Sequence, residues 1–207
     1  MPINLDHFIS FFPTEWKQHV VDSPWDIAGN MAAIVSRIIA GLNAEEYLVA
    51  DGIAIHHTAR IEEGAIIKGP AVINKDCFIA AHAYIREGVY MGAHVSVGPG
   101  CEIKSSLILS NSSLAHFNFV GDSLLGMGVN LEAGAVIANH YNERMDKKIT
   151  ARWKGEIYDT GLTKFGALVG DGCRIGANAV LSPGTLLEKN SIVARLQLVE
   201  QNPPNQH

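Results

Sequence analysis

The chain has 207 residues, of which 47% are apolar and 18% are charged, and this composition predicts one soluble domain with a substantial core. A net charge of −5 argues against general binding to nucleic acid or to an anionic membrane surface. No basic residue precedes Lys17, and no apolar stretch reaches about 18 residues without a charge, so the sequence predicts neither a signal peptide nor a membrane span and favours a cytoplasmic protein.

Residues 1–50 are predicted to form an N-terminal helical segment. Asp26 in the stretch "SPWD" is a candidate helix cap, and Gly41 and Asn43 are candidate stop signals. Apolar residues follow the cap at spacings of three and four, and this stripe predicts a docking face rather than a cofactor site. The stripe consists of Met31, Ile34, Val35, Ile38, Ile39 and Leu42.

From Ile55 onward the apolar pattern changes to a period of six, which is typical of a β-helix. The prism is predicted over residues 51–196, with an insertion at 139–166 and a C-terminal tail at 197–207. Each repeat offers a large inward residue and, four positions later, a smaller one. The large residues are Ile55, Ile61, Ile67, Ile73, Ile79, Ile85, Met91, Val97, Ile103, Leu109, Leu114, Val120, Leu125, Leu131, Ile137, Val169, Ile175, Leu181 and Leu187.

The three cysteines, Cys77, Cys101 and Cys173, all fall in the smaller inward position of the repeat, which Leu107 is also expected to occupy. Their odd number and the lack of a CxxC spacing make a zinc site or a disulfide framework improbable on sequence grounds. The cysteines are therefore predicted to be core residues.

A three-sided prism would use 18 residues per coil and would stack Lys68, Arg86 and Lys104, which occur at intervals of 18, on one face. Stacked cations repel one another unless an anion lies between them. Two interpretations follow from the spacing alone: a phosphate-binding ladder, or a solvated face whose long side chains splay apart. Val72, Tyr90 and Ile108 occur at the same interval and are predicted to point outward as a subunit contact.

The repeat is predicted to shorten to five residues at 109→114 and at 120→125, and His116 lies beside the first of these irregular steps. A lone histidine is more often structural than functional. The irregular step next to His116 is the feature that favours a catalytic role.

The motifs "YIREG", "EIK", "AHFNFVGDS", "VNLEAG" and "TKFGALVGD" together resemble the left-handed β-helix acyltransferases. The likeness is to the C-terminal acetyltransferase domain of the bifunctional UDP-N-acetylglucosamine pyrophosphorylase / glucosamine-1-phosphate N-acetyltransferase. It implies a left-handed parallel β-helix and a cytoplasmic homotrimer with sites between subunits. It also implies an N-acetyltransferase that uses acetyl-CoA on an amino-sugar 1-phosphate and needs no metal, nucleic acid or membrane.

The resemblance also assigns roles to individual residues. It implies that His116 is the general base, a role that suits an imidazole because its pKa is near neutrality. The implied substrate-binding residues are Arg86, Lys104, Phe119, Asn130 and Lys164. The implied residues on the acetyl-CoA side are Ala133, Asn139, His140 and Ala177, and Asn139 is also a candidate donor to the oxyanion. Lys68 receives no role.

Three features depart from the family pattern. Phe119 replaces a tyrosine near the sugar phosphate, and His140 stands where the tyrosine of an asparagine–tyrosine pair is expected. Residues 1–50 are too few for a nucleotidyltransferase domain. Two alternatives stay open: a non-catalytic sugar-phosphate-binding or assembly module of the same fold, and a zinc enzyme of the γ-carbonic-anhydrase kind, which needs three converging histidines.

Overall fold

A computed structural model describes residues 3–19 and 23–201, and residues 53–199 wind into a three-sided parallel β-helix of seven coils around one apolar core. We name the sides faces X, Y and Z. Face X contains Ile66–Ile67, the start of Tyr84–Met91, the start of Glu102–Ile108, Phe119–Gly121, Val136–Ile137, Val180–Leu181 and Leu198–Val199. Face Y contains Ile53–His56, Ala71–Ile73, the ends of Tyr84–Met91 and Glu102–Ile108, Leu124–Leu125, Ala167–Val169 and Thr185–Leu187. Face Z contains Arg60–Ile61, Phe78–Ile79, Ser96–Val97, Ser113–Leu114, Asn130–Leu131, Arg174–Ile175 and Ile192–Val193.

The period of six is confirmed, because a short strand and a tight corner together use about six residues on each side of the prism. The predicted large residues line the core, with Leu109 and the exposed Ile61 as exceptions, and all three cysteines lie among them as free, buried thiols. Corners require a positive φ at one residue, which glycine and asparagine tolerate best. At the corner between faces Z and X these residues are Gly64, His82, Gly100, Phe117, Gly134, Asn178 and Leu196.

The predicted position of the first five-residue step was wrong. Ile108, not Leu109, pairs with Met91 and faces the core, so the short step runs from Ile103 to Ile108. Leu107 and Leu109 point to the outer side of face Y, and neither lines the core. The second short step, from Val120 to Leu125, is where the sequence placed it.

Face Y is covered by the chain itself. Val72, Tyr90 and their outward neighbours form a second apolar cluster with the N-terminal segment and the insertion. The predicted subunit contact through Val72, Tyr90 and Ile108 is therefore wrong, since the first two are covered by this chain's own helices and Ile108 faces the core.

The N-terminal segment contains two 3₁₀ helices, Leu5–His7 and Thr14–His19, and the α-helices α1 (Pro24–Gly29) and α2 (Met31–Ala40). Ser23 is the N-cap residue of α1, whereas Asp26, the predicted cap, lies in its first turn. The predicted docking face is confirmed: the buried side of α2 packs on face Y through Met31, Ile34, Val35 and Ile38. A strand at Tyr47–Ala50, within the predicted helical segment, pairs antiparallel with Ile53–His56.

The insertion forms an antiparallel hairpin of Thr150–Trp153 and Glu156–Asp159 that lies over the last coils of face Y. Tyr158 contacts Trp25 with ring centroids 6.2 Å apart, and the Trp153 indole N–H donates to Glu188 at 3.0 Å. The hairpin is thus packed against its own chain. The last coil extends to Val199, beyond the predicted end of the prism. Within the described residues, no helix is long and apolar enough to cross a membrane.

Candidate active site

Face X carries predicted functional residues at both of its edges. Arg86 and Lys104 lie at the edge shared with face Y, and His116 lies at the corner shared with face Z. Strand Phe119–Gly121 spans the face between these edges, so the face is about 10 Å wide at roughly 3.3 Å per residue. Lys104 lies one coil and Arg86 two coils from the coil of His116.

The predicted vertical register of the two cations is confirmed. Arg86 and Lys104 are direct partners on adjacent parallel strands, and the N–H of Lys68 donates to the carbonyl of Ile85 one coil further down. Lys68 is exposed, and its ammonium lies 5.1 Å from the centre of the Tyr84 ring. The next position beyond Lys104 is Gly121, so the column of cations ends there.

Carboxylates surround this pair of cations, which neither interpretation of the spacing foresaw. The Arg86 guanidinium donates through Nε to Glu102 at 2.9 Å, and its Nη2 lies 2.7 Å from the same carboxylate. Its Nη1 contacts Glu87. The column is therefore an ion-pair network rather than a set of splayed cations.

Lys104 is the buried member of the network, with 7% of its surface exposed. Its ammonium donates to the Asp122 oxygens at 3.1 and 3.2 Å and lies 3.2 Å from Glu87 Oε2. Asp122 is equally buried and also accepts from the side-chain amide of Asn139. This bond uses one of the two N–H donors of the Asn139 amide.

Local backbone features hold Asp122 and Asn139 together. A Cβ at position 121 would lie 2.7 Å from the Asn139 Nδ2, so only glycine lets this amide reach Asp122. The insertion leaves the prism after Asn139 and returns beside it, where the N–H of Phe165 donates to the Asn139 carbonyl at 2.9 Å. The exposed Lys164 precedes Phe165 and is thereby placed at the same corner. His140 Nδ1 lies 3.2 Å from the Asn139 Oδ1.

Opposing contributions shift the pKa values in this network. Burial alone would lower the pKa of Arg86, but the hydrogen bond to Glu102 and the charge of Glu87 outweigh it and raise the value. Burial alone would raise the pKa of the Glu87 carboxyl, yet the hydrogen bond and charge of Lys104, followed by those of Arg86, hold it below its ordinary value. The charged forms of both groups are therefore favoured.

His116 belongs to a vertical column at the corner between faces Z and X. The N–H of Gly134 donates to the His116 carbonyl at 2.8 Å, and the N–H of Asn178 donates to the Ala133 carbonyl at 3.0 Å. The N–H of Leu196 continues the column by donating to the Ala177 carbonyl at 2.9 Å. Ala133 and Ala177 thus follow His116 in successive coils, at about 4.8 Å per coil, and their methyl side chains leave the corner open.

The His116 side chain is exposed, and no irregular step lies beside it, because the spacing from Leu114 to Val120 is regular. The unusual feature at this corner is instead Phe117, an aromatic residue at φ +52° whose ring is 72% exposed. A bulky residue with positive φ is uncommon and carries backbone strain. The sequence argument that an irregular step lies beside His116 was wrong, although the His116 side chain is exposed.

The remaining predicted residues lie on either side of this corner. Phe119 points outward from face X, half-buried between Glu102 and Val136 in the neighbouring coils. Asn130 lies on face Z and lines a cleft of 270 Å³. The charged residues of that cleft are Glu132, Arg174 and Arg195.

The structure therefore forms two groups from the predicted site residues. Arg86, Lys104, Lys164, Asn139 and His140 meet at the corner between X and Y. His116, Ala133 and Ala177 meet at the other edge, so the four residues implied for acetyl-CoA are divided between two corners. The sequence reasoning missed Glu87, Glu102 and Asp122. Asp122 lies 18 residues after Lys104, so extending the interval of the basic residues by one more step would have found it.

Among residues 3–19 and 23–201, no three His, Cys, Asp or Glu side chains are grouped closely enough to hold a metal ion. His82 and His116 do lie at the same corner, two coils apart, as the zinc-enzyme alternative required of two of its ligands.

Comparison with known proteins finds two matching family descriptions and several relatives. Residues 67–151 match the family description "GMPPB C-terminal domain", and residues 167–194 match "Hexapeptide repeat of succinyl-transferase". The bifunctional sugar-1-phosphate nucleotidylyltransferase/acetyltransferase of Sulfurisphaera tokodaii is 30% identical over 86% of this chain and 45% of its own length. The uncharacterized acetyltransferase YaiX of Escherichia coli O6:K15:H31 is 31% identical over 79% of this chain and 75% of its own.

A hexapeptide transferase family protein from Anaplasma phagocytophilum has a similar structure, with a TM-score of 0.51 at 18% identity over 68% of this chain and 72% of its own. This likeness confirms the left-handed parallel β-helix. The chain spans less than half the length of the archaeal bifunctional relatives that it matches.

Proposed function

The chain belongs to the hexapeptide-repeat family of acyltransferases, and on that premise we propose that it is an acetyl-CoA-dependent N-acetyltransferase acting on an amino-sugar 1-phosphate. Glucosamine 1-phosphate and galactosamine 1-phosphate are the candidate substrates. The observation that carries the proposal is the arrangement of face X, with two cations in register at one edge and an exposed imidazole at the other.

The width of face X suits such a substrate. A hexosamine 1-phosphate carries its phosphate and its amine on neighbouring ring carbons. Lys104 lies one coil and Arg86 two coils from the coil of His116, so the long side chains of these cations extend towards a small molecule that His116 approaches from the opposite edge of the face. Phe119 lies between them and offers an apolar surface for the sugar ring. In this pose, Arg86 and Lys104 bind the phosphate, and the amine faces His116.

The chemistry follows from an amine next to a histidine. His116 accepts a proton from the substrate ammonium, and the freed nitrogen attacks the thioester carbonyl of acetyl-CoA. The nitrogen of the tetrahedral intermediate releases its remaining excess proton to solvent, and the intermediate collapses with loss of the CoA thiolate, which takes the proton held by the imidazolium, so the overall reaction releases one proton. The open corner beside Ala133 and Ala177 accommodates the thioester arm, and Arg174 and Arg195 of the neighbouring cleft supply positive charge for the coenzyme phosphates.

We place the contacts of the proposed homotrimer on faces X and Z, because face Y is covered by the chain itself. Several large apolar side chains remain exposed there, as an interface requires. These are Ile66, Phe117, Ile192, Leu196 and Leu198. In such an assembly, the residues that one chain divides between two corners can be completed by those of a neighbour.

The test is release of CoA in the presence of each amino-sugar 1-phosphate. His116→Asn is expected to lower kcat by at least about 100-fold, the usual scale for loss of a general base. The matched control is His82→Asn, an exposed histidine at the same corner two coils away, which should keep wild-type kcat. Retained kcat in His116→Asn, or an equal loss in both variants, contradicts the assignment of the base.

The non-catalytic alternative has one specific observation in its favour, namely that the cations are already paired with carboxylates. Binding of the sugar phosphate by wild-type protein, with no CoA release from either amine, would support that alternative over the enzyme.

A further inference from the structure

We propose that Glu87 is a specificity-determining residue that occupies the phosphate position of the unliganded site and is displaced when a phosphorylated substrate binds. The inference rests on the proposed function for the identity of the ligand. It adds a competing internal anion to the proposed phosphate site.

The geometry of Glu87 is that of an anion bridging two cations. One carboxylate oxygen contacts the Arg86 Nη1, and the other lies 3.2 Å from the Lys104 ammonium. A phosphate monoester binding the same two side chains would place two of its oxygens at these positions. Glu87 and the substrate phosphate therefore compete for one set of donors.

Of the three carboxylates in the network, Glu87 is the one free to leave. Its side chain is 56% exposed, compared with 34% for Glu102 and 9% for Asp122. Asp122 is held by Lys104, by Asn139 and by the backbone N–H of Gly166, which donates to its carbonyl at 2.9 Å. Glu87 sits at the corner, where its carboxylate contacts the two cations and its backbone carbonyl accepts from the Ser105 hydroxyl.

The charge of the site makes this displacement necessary. Arg86 and Lys104 provide two positive charges, whereas Glu87, Glu102 and Asp122 provide three negative ones. A phosphate that approached this network with Glu87 in place would meet a net negative charge. With Glu87 turned out into solvent, the remaining groups balance, and the phosphate gains two charge-assisted contacts.

Removing the Glu87 charge should therefore strengthen phosphate binding. Glu87→Gln keeps the size of the side chain, and Glu87→Asn suits the positive φ of +59° at this corner. Both variants are expected to bind glucosamine 1-phosphate about tenfold more tightly than wild type, on the scale of one like charge removed from a partly exposed site. Binding of unphosphorylated glucosamine should not change.

The experiment is isothermal titration calorimetry of the full chain with both sugars, in parallel with the CoA-release assay. Glu143→Gln is the matched control, because Glu143 is also exposed and also lies beside an arginine, Arg144. Failure of both Glu87 variants to gain phosphate affinity, or an equal gain in Glu143→Gln, overturns the inference even if the wild-type protein turns over the substrate. A selective gain upholds it even if no CoA is released, in which case the proposed catalysis fails by itself.

Discussion

Replacement of Asp122 by asparagine tests whether the buried pair with Lys104 stabilises the corner where the insertion departs. At 3.1 Å, an ion pair with an effective dielectric constant of about 20 has a Coulomb energy on the order of 5 kcal/mol, part of which offsets desolvation. The asparagine side chain at position 122 also directs its N–H₂ group towards another donor, either the ammonium of Lys104 or the side-chain amide of Asn139. Because Glu87 still contacts Lys104 from its exposed side, we expect a net loss of about 3 kcal/mol in the free energy of unfolding.

Urea denaturation at fixed protein concentration measures this loss as a fall of about 1 M in the midpoint with an unchanged slope. A double-mutant cycle with Lys104→Met isolates the interaction energy between Asp122 and Lys104. The double variant should be less destabilised than the two single variants combined, by roughly 2 kcal/mol, since no buried charge is left unpaired. Strictly additive losses, or a loss below about 1 kcal/mol in Asp122→Asn, would refute the reasoning.

Two further predictions concern the core and a corner of the prism. The three buried thiols should not react with Ellman's reagent at pH 8 in the native protein, and all three should react in guanidinium. The reason is that burial raises the pKa of Cys77 to about 11 and also raises the pKa of Cys101 and of Cys173. Reaction of a native thiol within minutes would contradict this prediction. Gly98→Ala should cost at least about 3 kcal/mol in the same urea assay, since its Cβ would lie 1.6 Å from the Ala115 carbonyl oxygen; a near-neutral result would mean that the two coils can move apart.

The sequence predicted the solenoid well, because inward residues of a stacked prism repeat with the geometry of its corners. It failed where both sides of a strand are buried. Leu107 and Leu109 lie under the N-terminal segment, whereas Ile108 faces the core. Because all three are aliphatic, the sequence is equally compatible with Ile108 pointing inward and with Leu107 and Leu109 pointing inward. A strand buried on both faces loses its alternation, and no local pattern can then locate a five-residue step.

In the site, too, the sequence predicted the features that repeat from coil to coil and missed those that do not repeat. The register of Arg86 with Lys104 follows from coil length alone, and the sequence predicted it. The partners of these cations are corner residues: Glu87 and Asp122 adopt positive φ, and their carboxylates contact the cations of the column. Periodicity predicts which strand residues point inward, so it cannot predict the direction of a corner side chain.

Coverage of face Y restricts where the proposed site residues can meet a ligand. The N-terminal helices and the hairpin cover much of that face with apolar contacts, which leaves faces X and Z and the corner between them open to a ligand. His116 is at this corner, and the column of small side chains at Ala133 and Ala177 runs away from it towards the cleft with Arg174 and Arg195. An acceptor that crosses face X and a donor that follows this column would meet at one place in the molecule, the imidazole of His116.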